Sequence, residues 1–64
     1  MIINLSGPEG NAFFLLAMAQ QLAKSEGREP AEIRDLLLQM QSGNYENLLR
    51  VFSSQFPYVN LINS

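Results

Sequence analysis

The feature that most constrains this chain is one long apolar run, Asn11 to Lys24, which reads NAFFLLAMAQQLAK. At helical spacing, apolar side chains cover most of the circumference of this segment and leave only a narrow polar strip. A helix of this kind is normally covered by other elements on several sides. The run therefore predicts a central helix, and we expect Leu16 to lie in the middle of the core.

The turn before this helix can be interpreted in two ways. Ser6 and Glu9 have the spacing of a capping box at the helix start. The same segment also has the strand, glycine-containing turn and helix start of a general anion site, with the candidate ligand residues Ser6, Gly7, Gly10 and Asn11. Neither a dinucleotide-binding fingerprint nor a P-loop motif is present, and Glu9 would lie beside the anion. A capped turn that packs closely against the helix is the favoured interpretation.

The remaining pattern predicts two more helices and two short strands. Residues 1–5 alternate as a strand, and Gly27 suits the left-handed position after the first helix. Pro30 begins a second helix, which ends near Gly43, a residue that can take a positive φ. Asn44 caps a third helix over residues 45–55, and a strand follows over residues 58–62. The order predicts a single α+β domain, β-α-α-α-β, whose terminal strands pair in a small sheet.

The small size of the chain limits its stability as a monomer. A chain of 64 residues buries only about 60% of the surface that its unfolded state exposes. It contains no cysteine and no histidine, so disulfides and the usual zinc sites cannot support the fold. Because each terminal strand would leave a free edge, we expect a homodimer with a four-stranded sheet.

The charged residues argue against several classes of partner. Four basic residues are scattered against six acids, for a net charge of −2. Nucleic-acid binding relies on clustered phosphate contacts and is therefore disfavoured. The longest apolar run is shorter than the roughly 20 residues of a membrane span, and residues 1–4 carry no basic signal region. We expect a cytoplasmic protein that binds neither nucleic acid nor membranes.

No catalytic constellation is visible. Glu29, Glu32 and Asp35 lie near one side of the second helix, where carboxylates could hold a metal ion or act as acid and base. No second carboxylate motif completes such a site, so a solvated helix face is the favoured interpretation. Nucleophilic catalysis lacks a histidine base. We expect neither enzymatic activity nor a bound metal or cofactor.

Aromatic residues are concentrated in the last third of the chain, and most of them are expected in the core. Tyr45 and Tyr58 are best suited to reach the surface, because a tyrosine hydroxyl keeps one end in water and such residues often anchor interfaces. Asn44 and Asn60 could rim a patch around them. These four residues are the candidate partner-binding residues.

Two segments, LSGPEGNAFFLLAMA and MQSGNYENLLRVFSSQFPYVNL, resemble a family of very short, mostly uncharacterised proteins encoded by tailed bacteriophages. In that family a strand leads to a G-x-x-GNAF helix start, and a later SG-D/N-Y-x-x-LL-x-VF segment precedes a final strand. The matching residues are Gly7 to Phe14 and Ser42 to Phe52, whereas Pro57 stands where the family pattern has glycine. The resemblance implies a phage accessory protein acting inside the bacterial host, and it implies no activity or functional residues.

These observations favour a protein that binds another protein stoichiometrically and inhibits a host or anti-phage defence protein. Small size, low charge and the lack of a catalytic set suit such a blocker. Two alternatives stay open. One is a binder that sequesters a nucleotide signal at the Ser6 to Asn11 turn, and the other is a minor structural component of a phage particle.

Overall fold

The computed structural model describes residues 1–63, and its elements follow the predicted order. A short 3₁₀ helix, Pro8–Gly10, separates the first strand from the first helix. The strands and helices are β1 (Ile2–Asn4), α1 (Ala12–Ser25), α2 (Pro30–Met40), α3 (Tyr45–Gln55) and β2 (Asn60–Ile62). The α+β class and the β-α-α-α-β order are therefore confirmed, with both strands shorter than predicted.

The two strands form a parallel sheet. The register pairs Ile2 with Asn60, Ile3 with Leu61, and Asn4 with Ile62. Parallel neighbours need a long crossover connection, and the three helices supply it. Ile3 is only 2% exposed, so its face of the sheet is covered by the helices, while the opposite face is open to solvent.

One hydrophobic core joins the three helices and the two strands, and no polar or charged side chain within residues 1–63 is buried in it. Helix α1 contributes Leu15, Ala19 and Ala23, which are four residues apart and form one stripe. The two alanines leave room for neighbouring helices to approach. The core side chains are Ile3, Leu15, Ala19, Ala23, Ile33, Leu36, Met40, Leu48, Phe52, Phe56 and Val59.

The expectation that Leu16 lies at the centre of the core was wrong. Leu16 is only partly buried beside the core, and Phe13 on the same helix is 81% exposed. Two further helices and two strands of three residues each are too few to surround α1. This helix is therefore buried along a single stripe, and part of its apolar surface meets solvent.

Helix α1 begins within one residue of the predicted start, but its cap differs from the prediction. Asn11 caps the helix, because its side-chain oxygen accepts the N–H of Phe13 at 2.7 Å. Glu9 does not form a capping box with Ser6; its carboxylate accepts the N–H of Asn4 at 3.2 Å. The 3₁₀ helix Pro8–Gly10 contains Glu9 and holds it beside β1, so that the cap of α1 is Asn11 and not Ser6.

The other helix ends agree with the sequence pattern except at one glycine. Gly27 has a φ of 78° after α1, and it is the one residue within 1–63 with a positive φ. Helix α2 ends at Met40, before Gly43, and Gly43 does not use the positive φ that a glycine allows. Pro30 is the first residue of α2, and the side chain of Asn44 caps α3.

Candidate functional site

The Ser6 to Asn11 turn is closed by its own hydrogen bonds. The N–H of Ser6 donates to the side-chain oxygen of Asn4 at 3.0 Å, and the N–H of Gly7 donates to the Asn4 carbonyl at 3.4 Å. The N–H groups of Gly10 and Asn11 donate to the carbonyls of Gly7 and Pro8, at 3.0 and 3.2 Å. All four candidate ligand residues therefore use their backbone donors inside the turn.

Gly10 allows this turn to pack closely. A Cβ at this position would overlap the carbonyl oxygen of Leu5 and lie 2.8 Å from its carbonyl carbon. The carbonyl of Gly10 in turn accepts a hydrogen bond from the Tyr45 hydroxyl. The exit from β1, the start of α1 and the start of α3 thus meet at one glycine, which agrees with a structural role for the turn.

The two candidate tyrosines are tied to opposite ends of α1. Tyr45 donates to Gly10 before the helix, and Tyr58 donates to the carboxylate of Glu26 at 2.5 Å after it. The 14 residues of α1 separate these two points by roughly 20 Å. Tyr45 and Tyr58 are 40% and 51% exposed, but the structure does not bring them into one patch.

The two candidate asparagines, Asn44 and Asn60, also lie in different parts of the fold. Asn44 lies beside Tyr45, and its side chain accepts the N–H of Asn47 at 3.0 Å. Asn60 lies in β2 two residues after Tyr58, on the outer face of the sheet, and is paired with Ile2. Asn44 therefore accompanies Tyr45, while Asn60 lies beside the exposed apolar side chains of Ile2 and Ile62.

Arg28 joins the loop after α1 to the end of α3. Its Nε forms an ion pair with Glu26 at 2.8 Å, and its Nη1 donates to the side chain of Gln55 at 2.8 Å. Its guanidinium lies 5.0 Å from the centroid of the Phe56 ring, in a cation–π contact. The hydrogen bond from Tyr58, supported by Arg28, lowers the pKa of Glu26, and the same bond raises the pKa of Tyr58.

A groove of about 370 Å³ lies between α1 and α2; we call it the α1–α2 groove. Pro30, Ile33 and Leu37 give it an apolar floor. Its polar lining consists of Gln20, Lys24, Arg28 and Arg34. Lys24 and Arg34 are exposed and form no ion pair within the part of the chain that the structure describes.

The carboxylates of α2 do not line this groove, although Arg28 borders both the groove and the pocket that they line. Glu32 and Asp35 line a separate pocket of about 200 Å³, together with Gln39 and Gln55. Glu32 also accepts the N–H of Glu29 at the start of the helix. Among residues 1–63, no three carboxylate, histidine or cysteine side chains are grouped so that they could hold a metal ion.

The α1–α2 groove was missed at the level of sequence, where the basic residues were treated as scattered. Three of the four basic residues of the chain line it. A signal for this clustering exists, because Lys24 and Arg34 lie on either side of the four residues that join α1 to α2. Such short connections fold neighbouring helices against each other.

Comparisons with protein-family models, with curated proteins and with solved structures give no match for this chain. No helix within residues 1–63 combines the length and the apolar character needed to cross a membrane. The functional interpretation therefore depends on the surfaces described above.

Proposed function

We propose that this protein acts by stoichiometric binding to another protein, and that the bound protein is a host or anti-phage defence protein that it inhibits. The resemblance to phage accessory proteins supports the setting, the cytoplasm of a bacterial host. The proposal needs no catalytic group from the chain, because a blocker acts by covering a surface of its target.

The observation that carries this proposal is the number of large apolar side chains left in solvent. Phe13 is the extreme case, at 81% exposed. Burying such a side chain yields about 1.5–3 kcal/mol, and the fold itself does not gain this energy. Aromatic side chains, phenylalanine among them, are enriched at protein interfaces. The large apolar residues that are at least 40% exposed are Met1, Ile2, Phe13, Leu38, Tyr45, Tyr58 and Ile62.

A capture experiment with matched variants tests the proposal. Immobilised wild-type protein is incubated with bacterial lysate, and bound proteins are identified by mass spectrometry. We expect one host protein at near-stoichiometric yield, lost with Phe13→Ser and retained with Gln21→Ser, a change at another exposed position of α1. Titration of the captured protein should then show inhibition that saturates at one equivalent. If the wild type captures no protein, the proposal is wrong.

A further inference from the structure

We infer that the α1–α2 groove binds an acidic amphipathic helix of the partner protein, an inference that rests on the protein-binding function proposed above. The occupant is defined by two chemical requirements. It must carry carboxylates for the basic lining of the groove, and it must carry apolar side chains for the floor.

The first requirement follows from the distribution of charge. The chain has a net charge of −2, yet Lys24, Arg28 and Arg34 line the groove and no carboxylate does. Arg28 is already held by Glu26 and Gln55. Lys24 and Arg34 make no ion pair within residues 1–63, so their charges are available to a ligand. A local positive surface on an acidic protein favours an acidic partner and disfavours basic ones.

The second requirement follows from the floor. Ile33 is only 7% exposed, and Leu37 is partly buried beside the core. Pro30 and the exposed part of Leu37 therefore present most of the apolar surface, which an ion alone would leave in water. The groove follows two neighbouring helices, which is the setting in which an amphipathic helix inserts apolar side chains spaced three or four residues apart. Acidic residues on the flanks of that helix would face Lys24 and Arg34.

A peptide titration tests the inference directly. The probe is a fluorescein-labelled helical peptide with leucine along one face and glutamate on both flanks, followed by fluorescence anisotropy. Two control peptides have glutamine in place of glutamate, or the same residues in scrambled order. We expect the acidic amphipathic peptide to bind most tightly, and its affinity to fall as salt is raised, because exposed charges are screened.

The matched variants are Arg34→Glu and Arg50→Glu. Both arginines are exposed on helices, and both reversals change the net charge equally, but only Arg34 lines the groove. We expect Arg34→Glu to weaken peptide binding about two- to fivefold, the upper part of the range for one exposed ion pair, and Arg50→Glu to leave it nearly unchanged. Circular dichroism checks that both variants are folded.

Several outcomes would overturn the inference. Equal effects of the two reversals would mean that only net charge matters, and equal binding of the glutamine peptide would remove the role of carboxylates. Binding of decanoate without binding of any peptide would make the groove a small-molecule site. The proposed function is judged separately. If a captured partner is lost with Phe13→Ser but kept with Arg34→Glu, protein binding stands and the groove inference fails.

Discussion

At the scale of the residue, Gly10 is the point where the N-terminal segment passes closest to the start of α1. A side chain there meets the backbone of Leu5, which cannot rotate away as the end of a side chain could. At Gly7, in contrast, a Cβ would lie 4.0 Å from the nearest neighbouring atom, the Asn4 carbonyl oxygen. Gly10 is therefore required by the close backbone contact, whereas the space around Gly7 would accommodate a Cβ.

This contrast gives the first prediction. Gly10→Ala should lower the free energy of unfolding by about 1–3 kcal/mol or more, the usual cost of forcing extra atoms into a packed site. Gly7→Ala should change it by less than about 0.5 kcal/mol, as for most surface changes. Urea unfolding followed by circular dichroism compares the two. A stable Gly10→Ala variant would show that the turn can move away from Leu5.

The two adjacent leucines of α1 give the second prediction. Leu15 is fully buried, whereas Leu16 is only partly buried. Leu15→Ala should cost about 2–5 kcal/mol, the range for leucine truncation in a core, and Leu16→Ala should cost less than about 2 kcal/mol. The same urea measurement applies. A larger loss from Leu16→Ala would restore the original expectation that Leu16 lies at the centre of the core.

At the scale of the element, one small cluster fixes the loop between α1 and α2 to the residues before β2. Glu26 accepts hydrogen bonds from both Tyr58 and Arg28. The Phe56 ring lies between Arg28 and Tyr58, and the Phe56 and Tyr58 rings meet edge to face with centroids 6.2 Å apart. Since Glu26 and Tyr58 remain exposed, we expect their hydrogen bond to orient the loop more than to stabilise the fold.

The pKa shifts in this cluster give the third prediction. The pKa of Glu26 is lowered, chiefly by the hydrogen bond from Tyr58. The contribution of Glu26 to folding stability is therefore complete above its ordinary pKa of 4.5 and is lost as pH falls through the lowered pKa. The pKa of Tyr58 is raised, chiefly by the hydrogen bond to Glu26. The contribution of Tyr58 to folding stability is therefore complete below its ordinary pKa of 10.0 and is lost as pH rises through the raised pKa.

Tyr58→Phe removes this hydrogen bond and keeps the ring. The difference in urea midpoint between wild type and variant should be flat between about pH 5 and pH 9 and should shrink outside that window on both sides. Urea titrations at five or six pH values measure it. A difference that does not change with pH would mean that the hydrogen bond contributes nothing in solution.

Most of the fold at this scale could be predicted from the sequence, because the signals were local. Asn44 and Gly27 marked helix ends by their own chemistry, and the element order followed from periodicity. The capping of α1 could not be predicted reliably, since Ser6 with Glu9 and Asn11 are both acceptable caps. The close contact of Gly10 with Leu5, which accompanies the cap at Asn11, is visible only in the folded structure. The α1–α2 groove depended on tertiary packing in the same way.

At the scale of the whole molecule, the sheet has two outer edges of different character. On β1, the outward backbone groups of Asn4 are already occupied, because its N–H donates to Glu9 and its carbonyl accepts from Gly7. On β2, Asn60 and Ile62 bond toward β1, so the backbone groups of Leu61 between them point away from the sheet. The β2 edge is therefore better suited than the β1 edge to pair with a second copy.

The last prediction concerns the homodimer. A two-fold axis beside Leu61 would pair two β2 strands antiparallel and give a four-stranded sheet. Leu61→Pro removes the N–H needed for this pairing, while Leu61→Ala keeps the N–H and removes comparable packing from the partly buried side chain. We expect sedimentation equilibrium to detect a concentration-dependent dimer for the wild type and Leu61→Ala, and a monomer for Leu61→Pro.

Because each three-residue strand offers few hydrogen bonds, such a dimer also needs the exposed apolar side chains beside it. If folded Leu61→Pro dimerises as well as Leu61→Ala, the contact lies on the helices, and a monomeric wild type would exclude the dimer altogether.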